Sequence, residues 1–125
     1  MFAVCGGCST VPAPSVARSN AAVPVEVFTG GDDGLTQRLA DAIRSEFGRS
    51  ARFTLALAPT SDLLRVTIPT NVGWKGVRGK TRVTYQLRLE RAGRTVAESG
   101  GVCSEQDLRV CAKKVLEAAT SAVSR

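Results

Sequence analysis

The sequence predicts an α+β domain, a two-layer sandwich in which two helices cover one face of a mainly antiparallel sheet. Several short segments alternate apolar and polar residues, which is typical of strands with one face in water. Two longer segments repeat apolar residues every three or four positions, which indicates amphipathic helices. The predicted order along the chain is β-α-β-β-β-β-α. Two such helices suffice to cover one face of such a sheet.

The first strand and the first helix follow each other closely. Alternation in "VPVEVF", from Val23, predicts the strand, and "TGGDDG" then ends it. The helix is predicted to begin with Asp32 or Asp33 as its N-cap and to end at Gly48. Its apolar stripe consists of Leu35, Leu39, Ile43 and Phe47.

Four more strands are predicted before the second helix. Residues 53–57 and 64–68 alternate, and residues 82–90 alternate most clearly. A long loop, "TNVGWKGVRGK" at 70–80, is expected to precede the strand at 82–90. The turn "RAGR" then leads into a short last strand at 95–101.

The second helix is predicted from a C-terminal apolar stripe. Ser104 and Asp107 resemble a capping box, so Ser104 is expected to cap this helix. The stripe consists of Leu108, Cys111, Ala112, Val115, Ala119 and Ala122.

The composition favours binding over catalysis. The chain contains no histidine, which removes the commonest general base and the commonest metal ligand. Its acidic residues are scattered, and no pair has a spacing suited to acid–base catalysis. No apolar run reaches the roughly 18–20 residues that a membrane span needs. We therefore expect a non-catalytic domain without a metal or other cofactor.

Two cysteines, Cys5 and Cys8, lie at the start of the chain in "MFAVCGGCST". A redox pair needs a structured site that activates one thiol, and neither the short leader nor the segment that follows provides one. A zinc site would also need Cys103 and Cys111, which have seven residues between them instead of the usual two to four. Residues 9–22 are small, polar and proline-containing, which predicts a flexible tether.

The segment Val4–Thr10 resembles the end of a bacterial lipoprotein signal, with small residues before a cysteine and then Ser and a tether. The resemblance implies that Cys8 is lipidated and that residues 1–8 are the remnant of a truncated signal peptide. Cys5 departs from the usual Leu of that pattern, and the basic n-region is missing. We expect a lipid-anchored protein on the periplasmic side of the bacterial envelope, at the outer membrane, with residues 23–125 as one domain. A cytoplasmic protein is the alternative.

Cys103 and Cys111 flank the start of the last helix. In an oxidising compartment an intrachain disulfide is expected between them. If Ser104 caps the helix, however, Cys111 lies about 10 Å along the axis, beyond the Cα separation of about 7 Å that a disulfide allows. The disulfide thus requires Cys103 to fold back or the helix to begin nearer Asp107. The alternative is that Cys111 is only a small apolar residue on the buried stripe.

The net charge of +6 is concentrated in one segment. Seven basic residues and one acidic residue lie between Trp74 and Arg94, and the rest of the chain is neutral. An exposed tryptophan among cations is typical of a surface that binds an anionic or sugar-containing partner. An envelope protein, a cell-wall polymer or anionic lipid headgroups are the expected partners. The alternative is that Trp74 folds back onto the sheet and the charges are only solvated. The candidate binding residues are Trp74, Lys75, Arg78, Lys80, Arg82 and Arg88.

Nucleic-acid binding is the alternative function. Helix, three strands and a last helix carrying Lys113 and Lys114 resemble a double-stranded RNA-binding domain. That family binds phosphates with lysines at the start of its last helix. Here Glu105 and Asp107 occupy that turn and would repel phosphates, so nucleic acid is the less favoured partner.

Overall fold

The computed structural model describes residues 22–56, 58, 60 and 62–124. The predicted lipidation site Cys8, the signal remnant 1–8 and the predicted tether up to residue 21 lie outside the described residues. The elements are β1 (Val23–Thr29), α1 (Gly34–Arg49), β2 (Phe53–Leu55), β3 (Leu64–Ile68), β4 (Gly73–Val77), β5 (Lys80–Arg91), β6 (Arg94–Ser104), a 3₁₀ turn (Glu105–Asp107) and α2 (Leu108–Val123).

The fold is α+β, as predicted, with two helices against one face of an open, mostly antiparallel sheet of six strands. Strand β1 pairs in parallel with β2 and with β3, because α1 carries the chain back between β1 and β2. Strands β3 and β4 follow each other along one side of β5, and β6 pairs with the other side of β5. The long β5–β6 hairpin is therefore the framework that holds β4 in place.

The predicted loop at 70–80 is wrong from residue 73 onwards. The structure forms β4 there, then the two-residue turn Arg78–Gly79, and β5 begins at Lys80. No apolar alternation marks β4, because its first four residues are exposed on both faces and only Val77 is half-buried. Pairing with β5, and not burial of its own side chains, makes this segment a strand.

The core lies between the helices and the covered face of the sheet. Phe47 of α1 packs edge-to-face on Phe53 of β2, with ring centroids 4.8 Å apart. Glu46 is buried between the helices, where it accepts hydrogen bonds from Arg49 of α1 (2.8 Å) and Arg109 of α2 (3.0 Å). A buried carboxylate is tolerated there because both arginines compensate its lost hydration. Among the described residues, no helix is long and apolar enough to cross a membrane.

The loop "TGGDDG" ends β1 and caps α1, as predicted. The Asp33 carboxylate accepts a hydrogen bond from the Thr36 backbone N–H (2.7 Å). Asn71, between β3 and β4, accepts from the backbone N–H groups of Asp32 (2.8 Å) and Asp33 (3.1 Å) through its side-chain oxygen. A Cβ at Gly31 would collide with Asn71, so this close approach requires glycine. The contact fixes the start of β4 against the helix layer.

The last helix begins nearer Asp107, which is one of the two alternatives that the disulfide required. Ser104 caps the 3₁₀ turn, accepting a hydrogen bond from the Gln106 N–H (3.2 Å), and α2 begins only at Leu108. The tight turn brings the first turn of α2 back towards the end of β6. Cys103 and Cys111 consequently have their Cα atoms 5.7 Å apart and form the predicted disulfide.

Candidate binding surface on the β4–β5 ribbon

Residues 73–84 form a two-stranded ribbon, β4 and the first half of β5, that ends in an exposed turn. Arg78 and Gly79 both have positive φ (54° and 77°), which is typical of a type I′ turn. Such a turn matches the right-handed twist of the two strands and lets them pair from Gly73↔Thr84 to Val77↔Lys80. The turn places the Arg78 side chain at the exposed tip of the ribbon.

The register of the ribbon separates Trp74 from the cations. Trp74 lies opposite Val83, which is fully buried on the helix-covered face. Lys75 lies opposite Arg82, one position along and therefore on the open face. The expectation that the tryptophan lies among the cations is thus wrong. The alternative that Trp74 folds back onto the sheet is also wrong, because its side chain is 68% exposed.

Four cations gather on the open face and tip of the ribbon, and we call them the basic cluster. Three of them, Arg78, Lys80 and Arg82, line a surface pocket of about 660 Å³, the basic pocket. Val77 and Val102 give this pocket an apolar wall. No member of the cluster pairs with a carboxylate of the described residues, so its charge is available to an anion. The basic cluster is Lys75, Arg78, Lys80 and Arg82.

Arg88, the remaining predicted site residue, does not belong to this cluster. It lies six residues from Arg82 along β5, which is about 20 Å in an extended strand. Its guanidinium is 3.4 Å from the Glu90 carboxylate, and it pairs across the strands with Glu98. Its charge is therefore offset locally by Glu90, and its part in binding stays a prediction.

On the helix side of the ribbon, Trp74 lines a smaller surface pocket of about 340 Å³, the tryptophan pocket. Asp33, Leu35, Thr81 and Glu105 complete its lining. Hydrogen bonds from Thr36 lower the pKa of Asp33, and a hydrogen bond from Arg38 (2.8 Å) lowers the pKa of Glu105. Both carboxylates are therefore charged at neutral pH.

Asp33 was expected only to cap a helix, and Glu105 only to repel phosphate. Their position beside Trp74 was not predicted. They lie 72 residues apart in the chain. A predicted strand at 73–77 could have indicated this position, because side-chain alternation along such a strand places Trp74 on the helix side of the sheet.

The features expected of a double-stranded RNA-binding domain are not brought together. Five strands, not three, separate the helices. The Lys114 ammonium donates to the Val102 carbonyl at the edge of β6 (3.4 Å), while Glu105 and Asp107 occupy the turn before α2. Within the described part of the chain, no group of three or more acidic or cysteine side chains could hold a metal ion.

No protein-family model matches the sequence, and neither does any curated protein. Among solved structures, a dodecameric PelC variant from Paraburkholderia phytofirmans has 15% identity and a TM-score of 0.56 over 77% of this chain and 85% of its own. A Xanthomonas campestris protein of the DUF330 family model has 9% identity and a TM-score of 0.60, with 84% and 87% covered. A minor lipoprotein from Acinetobacter baumannii has 8% identity and a TM-score of 0.52, with 79% and 93% covered. At these identities the likeness shows a shared fold.

Proposed function

We propose that this protein is a non-catalytic envelope lipoprotein that binds an anionic partner through the basic cluster. The observation that carries the proposal is the contrast between this cluster and the other cations. Six of the eleven other described cations, all of them arginines, form ion pairs, whereas none of the four cations gathered on the ribbon pairs with a described carboxylate. Clustered cations repel one another, so a protein that keeps them unpaired on one surface favours an anion there.

The envelope location has three supports. The lipoprotein-like sequence around Cys8 implies a lipid anchor. The Cys103–Cys111 disulfide is typical of proteins in oxidising compartments such as the periplasm. One protein of similar fold is itself a minor lipoprotein.

The chemistry of the basic pocket suits phosphate and carboxylate groups. Arg78 and Arg82 offer planar guanidinium groups, which bind such groups through paired hydrogen bonds. Near an anionic membrane each exposed Lys or Arg contributes about 1 kcal/mol of attraction. Anionic lipid headgroups, a cell-wall polymer and an acidic face of an envelope protein all present these groups.

The test measures binding of the full chain carrying Cys8→Ser, so that a lipid anchor cannot mask the effect. Vesicles containing phosphatidylglycerol are sedimented with the protein, and phosphatidylcholine vesicles serve as the blank. We expect Lys75→Glu with Arg78→Glu to lower the bound fraction more than about tenfold, because two attractions become repulsions. The melting temperature should not change, because both side chains are exposed.

The matched control is Arg52→Glu with Arg94→Glu, which makes the same change in net charge at exposed positions outside the ribbon. Equal loss of binding in the control pair would show that net charge alone matters and would overturn the proposal. Binding to duplex RNA that exceeds vesicle binding and falls steeply with salt would favour the nucleic-acid alternative instead.

A further inference from the structure

We propose that the ribbon is a head-to-tail self-association surface: Trp74 and the carboxylates beside it in one copy bind the basic pocket of the next copy. This inference rests on the proposed function, because it uses the basic cluster as the binding surface and names its partner as a second copy of this chain. It also gives a role to the tryptophan pocket, which the proposed function leaves unused.

The first support is that the two faces of the ribbon carry opposite charge. Strand alternation places Lys75 and Arg82 on the open face and Trp74 on the helix side. Asp33 and Glu105 line the pocket beside Trp74, with exposed Asp32 and Asp107 adjacent in the chain. Arg38 already pairs with Glu105 (2.8 Å), so the acidic charge on this side of the ribbon rests on Asp33 with Asp32 and Asp107. This acidic surface and the basic surface on the other side of the ribbon are complementary.

The second support is the match between an aromatic knob and a partly apolar pocket. Trp74 is the most exposed large apolar side chain of the described residues, at 68%. The basic pocket, at about 660 Å³, combines the apolar surfaces of Val77 and Val102 with the cations of the cluster. An indole placed there would lie against methyl groups and beneath a guanidinium, the arrangement that favours cation–π attraction. Trp and Arg are also the residues that most often dominate protein–protein interfaces.

The charges also disfavour a symmetric contact through the ribbon. On its outer side β4 pairs with no strand of the described residues, so two β4 edges could in principle join two sheets. That arrangement would put the Lys75 side chains of both copies close together, with each Arg82 nearby on the same face, and like charges across paired strands destabilise. The favourable contact joins unlike faces, and these faces point in opposite directions, so one contact uses one face of each copy. Each dimer then keeps one free tryptophan pocket and one free basic pocket. Such an interface continues to a closed ring or an open filament.

The test uses two variants that each remove one side of the contact. Trp74→Ala removes the knob, and Arg78→Glu with Arg82→Glu removes the basic pocket. All proteins are full chains carrying Cys5→Ser and Cys8→Ser, so that these thiols cannot cross-link copies, and their assembly state is measured by sedimentation velocity. We expect assemblies larger than a dimer for the unmodified ribbon and monomers for each variant alone.

The decisive sample is an equimolar mixture of the two variants. A copy with only the basic pocket can bind a copy with only the knob, so the mixture should form a dimer and grow no further. Val96→Ala, at an exposed apolar site of β6 outside the ribbon, is the control and should assemble like the unmodified ribbon. A mixture that stays monomeric, or a Trp74→Ala protein that still assembles, would overturn the inference.

Failure of this inference is distinguishable from failure of the proposed function. Trp74→Ala leaves the basic cluster intact, so its binding to phosphatidylglycerol vesicles should persist while its self-association is lost. A monomeric unmodified ribbon that binds vesicles would overturn self-association and leave the proposed function standing. Assembly without vesicle binding would support self-association and restrict the anionic partner to a second copy.

Discussion

At the scale of single residues, Tyr85 is one of three described side chains with a buried polar atom that has no hydrogen-bond partner. Its ring packs on Gly101 of β6, where an added Cβ would lie 2.8 Å from the ring and the hydroxyl oxygen. The side chain is 1% exposed, and its hydroxyl has no hydrogen-bond partner among the described residues. Burial raises the pKa of Tyr85. The aromatic ring therefore fills the space beside a glycine, while the hydroxyl loses its hydration without compensation.

We predict that Tyr85→Phe leaves the free energy of unfolding unchanged or raises it by about 1 kcal/mol, because it removes a buried polar group without a partner. Urea unfolding measures the change. Gly101→Ala is expected to destabilise, since the new methyl group would contact the ring, whereas Gly76→Ala in β4 meets no atom within 4 Å and serves as its control. A clear loss of stability in Tyr85→Phe would mean that the hydroxyl has a hydrogen-bond partner.

At the scale of elements, the two hairpin turns have the same φ angles but different first residues. Arg78–Gly79 and Ala92–Gly93 both have φ values of 54° and 77°. Positive φ is unfavourable for Arg and Ala, because Cβ approaches the following carbonyl. Type I′ turns favour Asn or Gly at the first position for this reason. In the first turn the less favourable residue supplies a cation of the basic cluster, and in the second no such role is evident.

We predict that Ala92→Asn stabilises the protein by about 0.5–1 kcal/mol, because Asn adopts positive φ more readily than Ala. The measurement is the midpoint of thermal or urea unfolding. Ala92→Val is the opposing control and should destabilise, since a β-branched residue tolerates positive φ poorly. A stabilising effect of Val equal to that of Asn would contradict this explanation.

At the scale of the whole molecule, the connection between the two layers supports the ribbon. The disulfide joins Cys103 at the end of β6 to Cys111 in α2. Cys103 lies opposite Val83 of the ribbon, so the covalent link is one residue pair from the basic cluster. Two residues before Cys111 in the first turn of α2, Arg109 bonds to Glu46 and so links α1 to α2. The sheet and both helices are thereby held together on the side from which the ribbon extends.

We predict that Cys103→Ala with Cys111→Ala lowers the free energy of unfolding by about 2–3 kcal/mol, the value expected for a loop of this length in the chain-entropy model. Urea unfolding of the oxidised protein, the reduced protein and the double variant measures it. Reduced protein and double variant should unfold together, below the oxidised protein. Coincident unfolding of all three would mean that the link adds nothing to stability.

Much of the fold follows from local patterns. The stripe Leu39–Phe47 predicts α1, and Asp33 predicts its start, because helix periodicity and capping depend on neighbours in the chain. The alternation of Val83, Tyr85, Leu87 and Leu89 predicts β5 for the same reason. The disulfide partners were also predictable, but the 3₁₀ turn that lets them meet was not, since it depends on how β6 enters α2.

The sequence by itself determined the two helices, the buried face of the sheet and the concentration of cations between Trp74 and Arg94, because each depends on residue type and spacing alone. Only the tertiary structure decided which of those residues share a surface. Strand β4 has no stripe of buried apolar residues from which the sequence could predict it. Its pairing with β5 determines which of its side chains lie on which face of the sheet. This pairing places Trp74 beside Asp33 and Glu105, on the opposite face from the cations of the basic cluster. Arg88 lies outside the cluster because it is six residues further along β5. A one-residue shift of β4 against β5 would exchange the faces of Trp74 and Lys75 and so change the neighbours of both. Register depends on how strands pair in the sheet and not on one strand alone.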